Sequence, residues 1–122
     1  MYMKKILLVD DEEDILNFLS YHFRKIGFSV TTAEDGVKGL LEFDKEEFDI
    51  IISDIRMPNM GGVEMCTEMK KRSKSIPFLF LTAVTDDYKI LYAMMSGADQ
   101  IVDKPIKLDY LTSIVNGLLE NA

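Results

Sequence analysis

Five short apolar runs alternate along this chain with five segments of helical periodicity. The apolar runs lie at residues 4–9, 28–33, 50–52, 78–81 and 100–103. Such alternation predicts right-handed crossovers and a parallel sheet that is covered by helices on both faces. The first, third and fourth runs are the most apolar and are expected at the centre, whereas the second alternates with polar residues and suits an edge. We therefore predict a doubly wound α/β fold of the flavodoxin-like type, with strand order 2-1-3-4-5.

The composition indicates one globular domain over residues 1–122. A net charge of -7 argues against direct binding to nucleic acid, where Lys and Arg must meet phosphates. The single cysteine, Cys66, excludes an intramolecular disulfide and suits a reducing cytoplasm. No apolar run approaches the length of a membrane span, so no membrane association is expected.

Acidic residues follow two of the predicted central strands. Asp10 and Asp11 follow the first strand, and Asp54 follows the buried run at 50–52. Because parallel strands in this order end at one edge of the sheet, the three carboxylates are expected to share one pocket. Carboxylates so close together repel each other unless a cation intervenes. Mg²⁺ prefers oxygen ligands and is the expected cofactor.

A hydroxyl and an ammonium complete the same edge. Thr82 ends the fourth strand and Lys104 follows the fifth. A carboxylate, a metal, a lysine and a hydroxyl around one point predict a phosphoryl-transfer site, with Asp54 as a covalent acceptor. Taken singly, these residues suit ordinary roles, such as a helix cap for Asp10 or a surface charge for Lys104. Their convergence at one edge favours the phosphoryl site.

The same residues belong to a set of motifs with family character. In chain order they are Ile6-Leu7-Leu8-Val9-Asp10-Asp11-Glu12, Ser53-Asp54, Met57-Pro58-Asn59-Met60 with Gly62, Leu81-Thr82-Ala83, Gly97-Ala98-Asp99 and Lys104-Pro105. With these motifs the sequence resembles the receiver domain of two-component response regulators over essentially its whole length.

This resemblance implies a role for each matching residue. Asp54 would accept a phosphoryl group from the phosphohistidine of a sensor histidine kinase or a phosphotransfer protein. Asp10, Asp11 and Asp54 would bind Mg²⁺ together with the backbone carbonyl of Arg56. The chain would act as a cytoplasmic switch that catalyses only its own phosphorylation and dephosphorylation, and not as an enzyme that turns over a metabolite.

The resemblance also implies a route outward from the site. Thr82 would move its hydroxyl onto the phosphoryl group, Lys104 would pair with that group, and the Lys104-Pro105 bond would be cis. Ile101 departs from the family pattern, because Tyr or Phe is frequent at this position and turns inward on activation. Signalling through Ile101 to the face formed by helix 4, strand 5 and helix 5 is therefore expected to be weaker or differently built. That face would contact an output domain or a second copy of the chain.

Two alternative functions remain open at this point. One is a Mg²⁺-dependent phosphohydrolase with an Asp nucleophile, but such enzymes usually carry Asp-x-Asp after the first strand, a spacing that Asp10-Asp11-Glu12 lacks. The other is a degenerate receiver that only binds partners, which the presence of Asp54, Thr82 and Lys104 disfavours. The sequence fits both a stand-alone regulator and a piece of a longer protein.

Overall fold

The structure, a computed structural model, describes residues 3–121. Five strands alternate with five helices along the chain. The strands are β1 (Lys5–Val9), β2 (Ser29–Ala33), β3 (Ile50–Ser53), β4 (Phe78–Thr82) and β5 (Gln100–Asp103). The helices are α1 (Glu13–Lys25), α2 (Gly36–Lys45), α3 (Gly62–Arg72), α4 (Asp87–Met95) and α5 (Leu108–Glu120).

The strands form one parallel sheet in the order β2-β1-β3-β4-β5, which confirms the prediction. The central strands β1, β3 and β4 are almost wholly buried, whereas β2 and β5 form the edges. In the register of the sheet, Val9 lies beside Ser53 and Thr82 beside Asp103. The carboxyl ends of β1 and β3 are therefore level with each other, as are those of β4 and β5.

Two apolar layers enclose the sheet because successive strand residues point to opposite faces. In β1, Leu7 and Val9 belong to the layer that packs against α2, α3 and α4. Ile6 and Leu8 belong to the layer that packs against α1 and α5. Each helix contributes residues spaced three or four apart, which is the spacing of one helix face. Examples are Leu19 and Phe23 of α1, and Leu111 and Val115 of α5.

Five helices are observed, as the five segments of helical periodicity predict. Gly27 ends α1 in the left-handed region, with φ +104, as its position after Ile26 predicts. The apolar pattern overstates burial at Ile26 and Leu41, which are both exposed. Ile26 is the C-cap of α1, and α2 continues past Leu41 to Lys45 with its solvent-facing side uncovered. None of the helices in residues 3–121 combines the length and apolar composition that crossing a bilayer requires.

Helix α4 leaves much of its apolar surface uncovered. Only Ala93 of this helix is fully buried. Because a helix turns only one face inward, its aromatic and methionine side chains cannot all be buried, and Tyr88 is 77% exposed and Met95 73% exposed. Among the described residues, the exposed large apolar side chains of α4 are Tyr88, Leu91, Tyr92, Met94 and Met95, whereas α5 has Tyr110.

Candidate functional site

Asp54 begins the site, directly after β3. Its backbone N–H donates to the carbonyl of Val9 at 2.9 Å and so ties the residue to the end of β1. Its side chain accepts from the backbone N–H of Ile55 through Oδ1 at 2.7 Å. Asp54 as a whole is only 9% exposed. The carboxylate is therefore held in one orientation at the edge of the sheet, with one oxygen committed to the backbone.

Lys104 brings the strand ends together. Its Nζ donates to Oδ2 of Asp10 at 3.0 Å, to Oδ2 of Asp54 at 3.1 Å and to Oε1 of Glu12 at 3.3 Å. The backbone N–H of Lys104 donates to the carbonyl of Thr82 at 2.9 Å, which continues the pairing of β4 with β5. The peptide bond to Pro105 is cis, as the family resemblance implies. One ammonium thus neutralises part of the charge of three carboxylates.

The charges in this group shift each other's pKa. Burial raises the pKa of Asp10, although the backbone N–H of Glu12 and the ammonium of Lys104 act in the opposite direction. For Lys104, burial alone would lower the pKa, but the hydrogen bonds to Asp10 and Asp54 outweigh it and raise the pKa. Lys104 therefore stays protonated, and it remains available as a cation beside Asp54.

Thr82 ends β4, the strand that pairs with β3 on one side and with β5 on the other. It is 1% exposed, and its Oγ1 accepts from the backbone N–H of Val84 at 3.0 Å. Thr82, Asp54 and Lys104 line one open cavity of about 230 Å³, together with Glu12, Arg56, Ala83, Val84, Thr85 and Asp86. Ala83 is exposed and small, so the mouth of this cavity is not covered by a bulky side chain at that position.

The acidic group differs in one member from the sequence expectation. Among residues 3–121, the carboxylate oxygens that approach within 4.8 Å of one another belong to Asp10, Glu12 and Asp54. Asp11 is exposed and lines an adjacent cavity with Arg56, so its assignment as a metal ligand remains a prediction. The sequence feature that could have indicated Glu12 is its position in the acidic run Asp10-Asp11-Glu12. Oδ1 of Asp10 accepts from the N–H of Glu12 at 2.9 Å, and this turn directs Glu12 toward Lys104.

These residues fit a hard divalent cation. All three offer carboxylate oxygens, which Mg²⁺ prefers, and they lie close enough to share one ion. They already attract a cation, since the Lys104 ammonium contacts all three. The donor chemistry therefore suits Mg²⁺ or another hard divalent cation rather than Zn²⁺, whose sites are usually built from His and Cys.

A close backbone approach fixes the loop after Asp54. The N–H of Gly62 donates to the carbonyl of Ile55 at 2.8 Å and so closes the loop between β3 and α3. A Cβ at Gly62 would overlap the carbonyl oxygen of Asp54 and would also lie 2.7 Å from the ring of Phe80. Glycine is required here because any side chain would displace the backbone of Asp54.

Ile101 is not part of this constellation. It pairs with Phe80 in the register of β4 and β5, is half-buried, and packs against the apolar layer under α3 and α4. The structure thus brings together Asp10, Asp54, Thr82 and Lys104, with Arg56 at the cavity wall, and leaves Asp11 and Ile101 outside. Ile101 does not line the cavity at Asp54, so an effect of Ile101 on the site would have to act through packing.

Comparison with known proteins agrees with this arrangement. Residues 6–116 match the family described as the response regulator receiver domain. The response regulator SaeR of Staphylococcus aureus is 38% identical over 117 residues, which is 96% of this chain and 51% of the relative. The chain thus spans about half the length of the curated relatives that it matches.

Solved structures share the fold over nearly the whole chain. A CheY-like receiver domain protein of Methanospirillum hungatei superposes with a TM-score of 0.95 at 25% identity, covering 98% of this chain and 96% of the other. The chemotaxis response regulator CheY4 of Vibrio cholerae superposes with a TM-score of 0.89 at 33% identity, covering 96% and 99%. The family match over residues 6–116, the 38% identity to SaeR and the shared fold agree, and the chain belongs to the response regulator receiver domain family.

Proposed function

We propose that the chain is a phosphorylation-dependent signalling switch in which Asp54 accepts a phosphoryl group from the phosphohistidine of a sensor histidine kinase or a phosphotransfer protein. The observation that carries this proposal is the ammonium of Lys104, 3.0 Å from Asp10 and 3.1 Å from Asp54. A protonated lysine between two buried carboxylates is suited to receive a dianionic phosphoryl group when it arrives on one of them.

Asp54 is the nucleophile in this mechanism. One carboxylate oxygen attacks the phosphorus, the P–N bond of the donor breaks, and its electron pair returns to the imidazole. The N–H of Ile55 keeps the carboxylate oriented through Oδ1. Lys104 then pairs with an oxygen of the transferred group, and the hydroxyl of Thr82 donates to another. Water attacking the same phosphorus returns free phosphate and the Asp54 carboxylate.

Mg²⁺ is the proposed cofactor. Asp10, Asp11 and Asp54 would hold it with the backbone carbonyl of Arg56, and Glu12 lies within reach of the same group. When bound, Mg²⁺ neutralises charge on the phosphoryl oxygens during transfer. The carboxylates direct their oxygens at one point. Lys104 would lose part of its contacts with these carboxylates when Mg²⁺ shares their negative charge.

The output of the switch follows from Thr82. Its Oγ1 now accepts from the N–H of Val84. A hydroxyl that turns to donate to the phosphoryl group changes this contact and loosens the start of the β4–α4 connection. The half-buried Ile101 would then change its packing against the apolar layer under α3 and α4. This change would alter the affinity of the α4–β5–α5 face for an output domain or a second copy of the chain. In this proposal the chain would act in the cytoplasm beside its kinase, as a switch that modifies only itself and does not turn over a metabolite.

Intact mass after incubation with acetyl phosphate and Mg²⁺ tests this proposal. We expect one added phosphoryl group that is labile in base and that needs Mg²⁺. The Asp54→Asn variant should gain none. Glu64→Gln is a matched control, since Glu64 is an exposed acid on α3 outside the site. The absence of an adduct on the unmodified chain, or steady hydrolysis of unrelated phosphate esters, would refute the switch.

A further inference from the structure

The loop between β3 and α3 is anchored to a distant part of the chain. Asp35 is the N-cap of α2, and its Oδ1 accepts from the backbone N–H of Lys38 at 2.9 Å. Its second oxygen, Oδ2, accepts from Nδ2 of Asn59 at 2.8 Å. Asp35 is 4% exposed, so its two carboxylate oxygens are largely shielded from solvent. A helix cap requires only the first of these bonds. The second bond joins the start of α2 to the loop between β3 and α3.

The backbone next to Asp35 supports the same contact. The N–H of Gly36 donates to the carbonyl of Met60 at 3.0 Å. A Cβ at Gly36 would lie 2.5 Å from that carbonyl oxygen and 2.8 Å from Cγ of Met60. Asn59 itself has φ +67, a left-handed conformation that Asn adopts more readily than most residues. The start of α2 therefore forms hydrogen bonds with two consecutive loop residues, Asn59 and Met60.

The loop is thus held at two places, and Arg56 lies between them in the sequence. At its start, Ile55 donates to Oδ1 of Asp54 and accepts from Gly62. At its middle, Asn59 and Met60 are bound by the start of α2. Arg56 lines both the cavity at Asp54 and the cavity at Asp11. Any shift of the loop would move the backbone of Arg56 relative to the carboxylates.

We propose that Asp35 is a positioning residue that, through Asn59, holds the backbone carbonyl of Arg56 at the Mg²⁺ site. This inference rests on the proposed function, because it assigns a second layer of contacts to the same metal site. Asp35 touches neither the metal nor the phosphoryl group. It acts on Mg²⁺ affinity by limiting the motion of the segment that carries one ligand.

Two substitutions separate this role from helix capping and backbone strain. Asp35→Ser keeps a good N-cap for α2 but is too short to reach Asn59. Asn59→Gly keeps the left-handed backbone but removes the side chain that donates. Thr31→Val is the matched control, because it deletes the 2.9 Å hydrogen bond between Thr31 and Glu46 at the opposite end of α2.

Titration of Mg²⁺ by calorimetry measures the effect directly. We expect Asp35→Ser and Asn59→Gly each to weaken Mg²⁺ binding about tenfold, the lower end of the loss caused by outer-shell partners of a metal. The double variant should lose no more than either single variant, because both remove one hydrogen bond. Thr31→Val should bind Mg²⁺ as the unmodified chain does. Hydrogen exchange of the Gly62 amide, measured without Mg²⁺, should become faster in both single variants and not in the control.

The outcomes distinguish this inference from the proposed function. If the unmodified chain binds Mg²⁺ and the Asp35 and Asn59 variants bind it equally well, the inference is wrong and the proposed function stands. If losses in the two single variants add in the double variant, the residues act separately and the inference is also wrong. If the unmodified chain does not bind Mg²⁺, both fail.

Discussion

Lys104 balances the charge of the whole site at the residue scale. Its ammonium lies within hydrogen-bonding distance of Asp10, Glu12 and Asp54, and no more than 12% of its side chain is exposed. Without it, three carboxylates on two neighbouring strand ends would face each other with only water and backbone N–H groups to compensate. The cation offsets this repulsion, and we expect it to compete with Mg²⁺ for the same oxygens.

Replacing Lys104 tests this balance. We expect Lys104→Met to lower the free energy of unfolding by about 3 kcal/mol at neutral pH, because it leaves partly buried carboxylates unpaired. Adding Mg²⁺ should recover more stability in the variant than in the unmodified chain, since binding to the folded state stabilises it. Urea unfolding with and without Mg²⁺ measures both effects.

Lys5→Met is the control, since it removes an exposed ion pair with Glu46 and should lower the free energy of unfolding by less than about 1 kcal/mol. Equal recovery by Mg²⁺ in both proteins would contradict the competition.

Gly62 allows a second prediction at the residue scale. Gly62→Ala should lower the free energy of unfolding by about 1–3 kcal/mol, because its Cβ overlaps the carbonyl oxygen of Asp54 and must displace the backbone. It should also slow phosphorylation of Asp54. Gly117→Ala in α5 is the control, since nothing lies within 4 Å of its Cβ. That substitution should raise stability by about 0.5–1 kcal/mol, as expected for a helix interior. If Gly62→Ala changes the free energy of unfolding as Gly117→Ala does, the close approach of Gly62 to Asp54 does not affect stability.

The first turn of α2 limits the motion of the loop between β3 and α3. Asp35 caps its own helix and reaches the β3–α3 loop, while Gly36 contacts Met60 in the same loop. The N–H of Lys38 holds the pKa of Asp35 below its ordinary value, and the amide of Asn59 acts in the same direction, although burial opposes both. A group whose pKa falls on folding stabilises the folded state above its unfolded pKa, and this stabilisation is lost as the pH falls through the folded pKa.

Asp35 therefore predicts a pH dependence with a definite sign. The stability advantage of the unmodified chain over Asp35→Asn should be constant above about pH 5 and should shrink as the pH falls below the ordinary Asp pKa of about 3.9. Urea unfolding of the two proteins from pH 6 to pH 3 measures the difference directly. An advantage that is independent of pH would show that the charge of Asp35 does not contribute.

Strand β5 offers a prediction about the route outward from the site. Ile101 packs against the apolar layer under α3 and α4, so its volume couples β5 to that layer. With beryllofluoride as a phosphoryl analogue, we expect Ile101→Ala to reduce chemical-shift changes at Tyr92 and Tyr110 without changing Mg²⁺ affinity. Val30→Ala in β2, the other edge strand, is the control and should leave these changes intact. Undiminished changes in Ile101→Ala would place the relay elsewhere.

At the scale of the whole molecule, the sheet order was predictable because it depends on patterns that the sequence carries openly. Buried strands are continuous apolar runs, and parallel strand ends share one edge, so Asp10, Asp54, Thr82 and Lys104 could be brought together without coordinates. Glu12 was missed because its direction depends on a turn closed by Oδ1 of Asp10. The contact of Asp35 with Asn59 spans 24 residues and depends on how α2 sits on the sheet, which no local pattern specifies.

The exposed surface on α4 is also a property of the whole molecule. Its apolar exposure was predictable, since one helix face cannot bury so many large side chains. The chain spans about half the length of its curated relatives, and we propose that an output domain or a second copy of the chain binds this surface.

Trapping of the phosphorylated residue tests the central claim most directly. An acyl phosphate on Asp is reduced by borohydride to homoserine, and peptide mass mapping then locates the modified position. After incubation with a phosphodonor and Mg²⁺, we expect homoserine at position 54 and unmodified Asp10 and Asp11, with no trapping when Mg²⁺ is removed by chelation. Homoserine at position 10 or 11, or none at any position, would contradict the assignment of Asp54 as the acceptor.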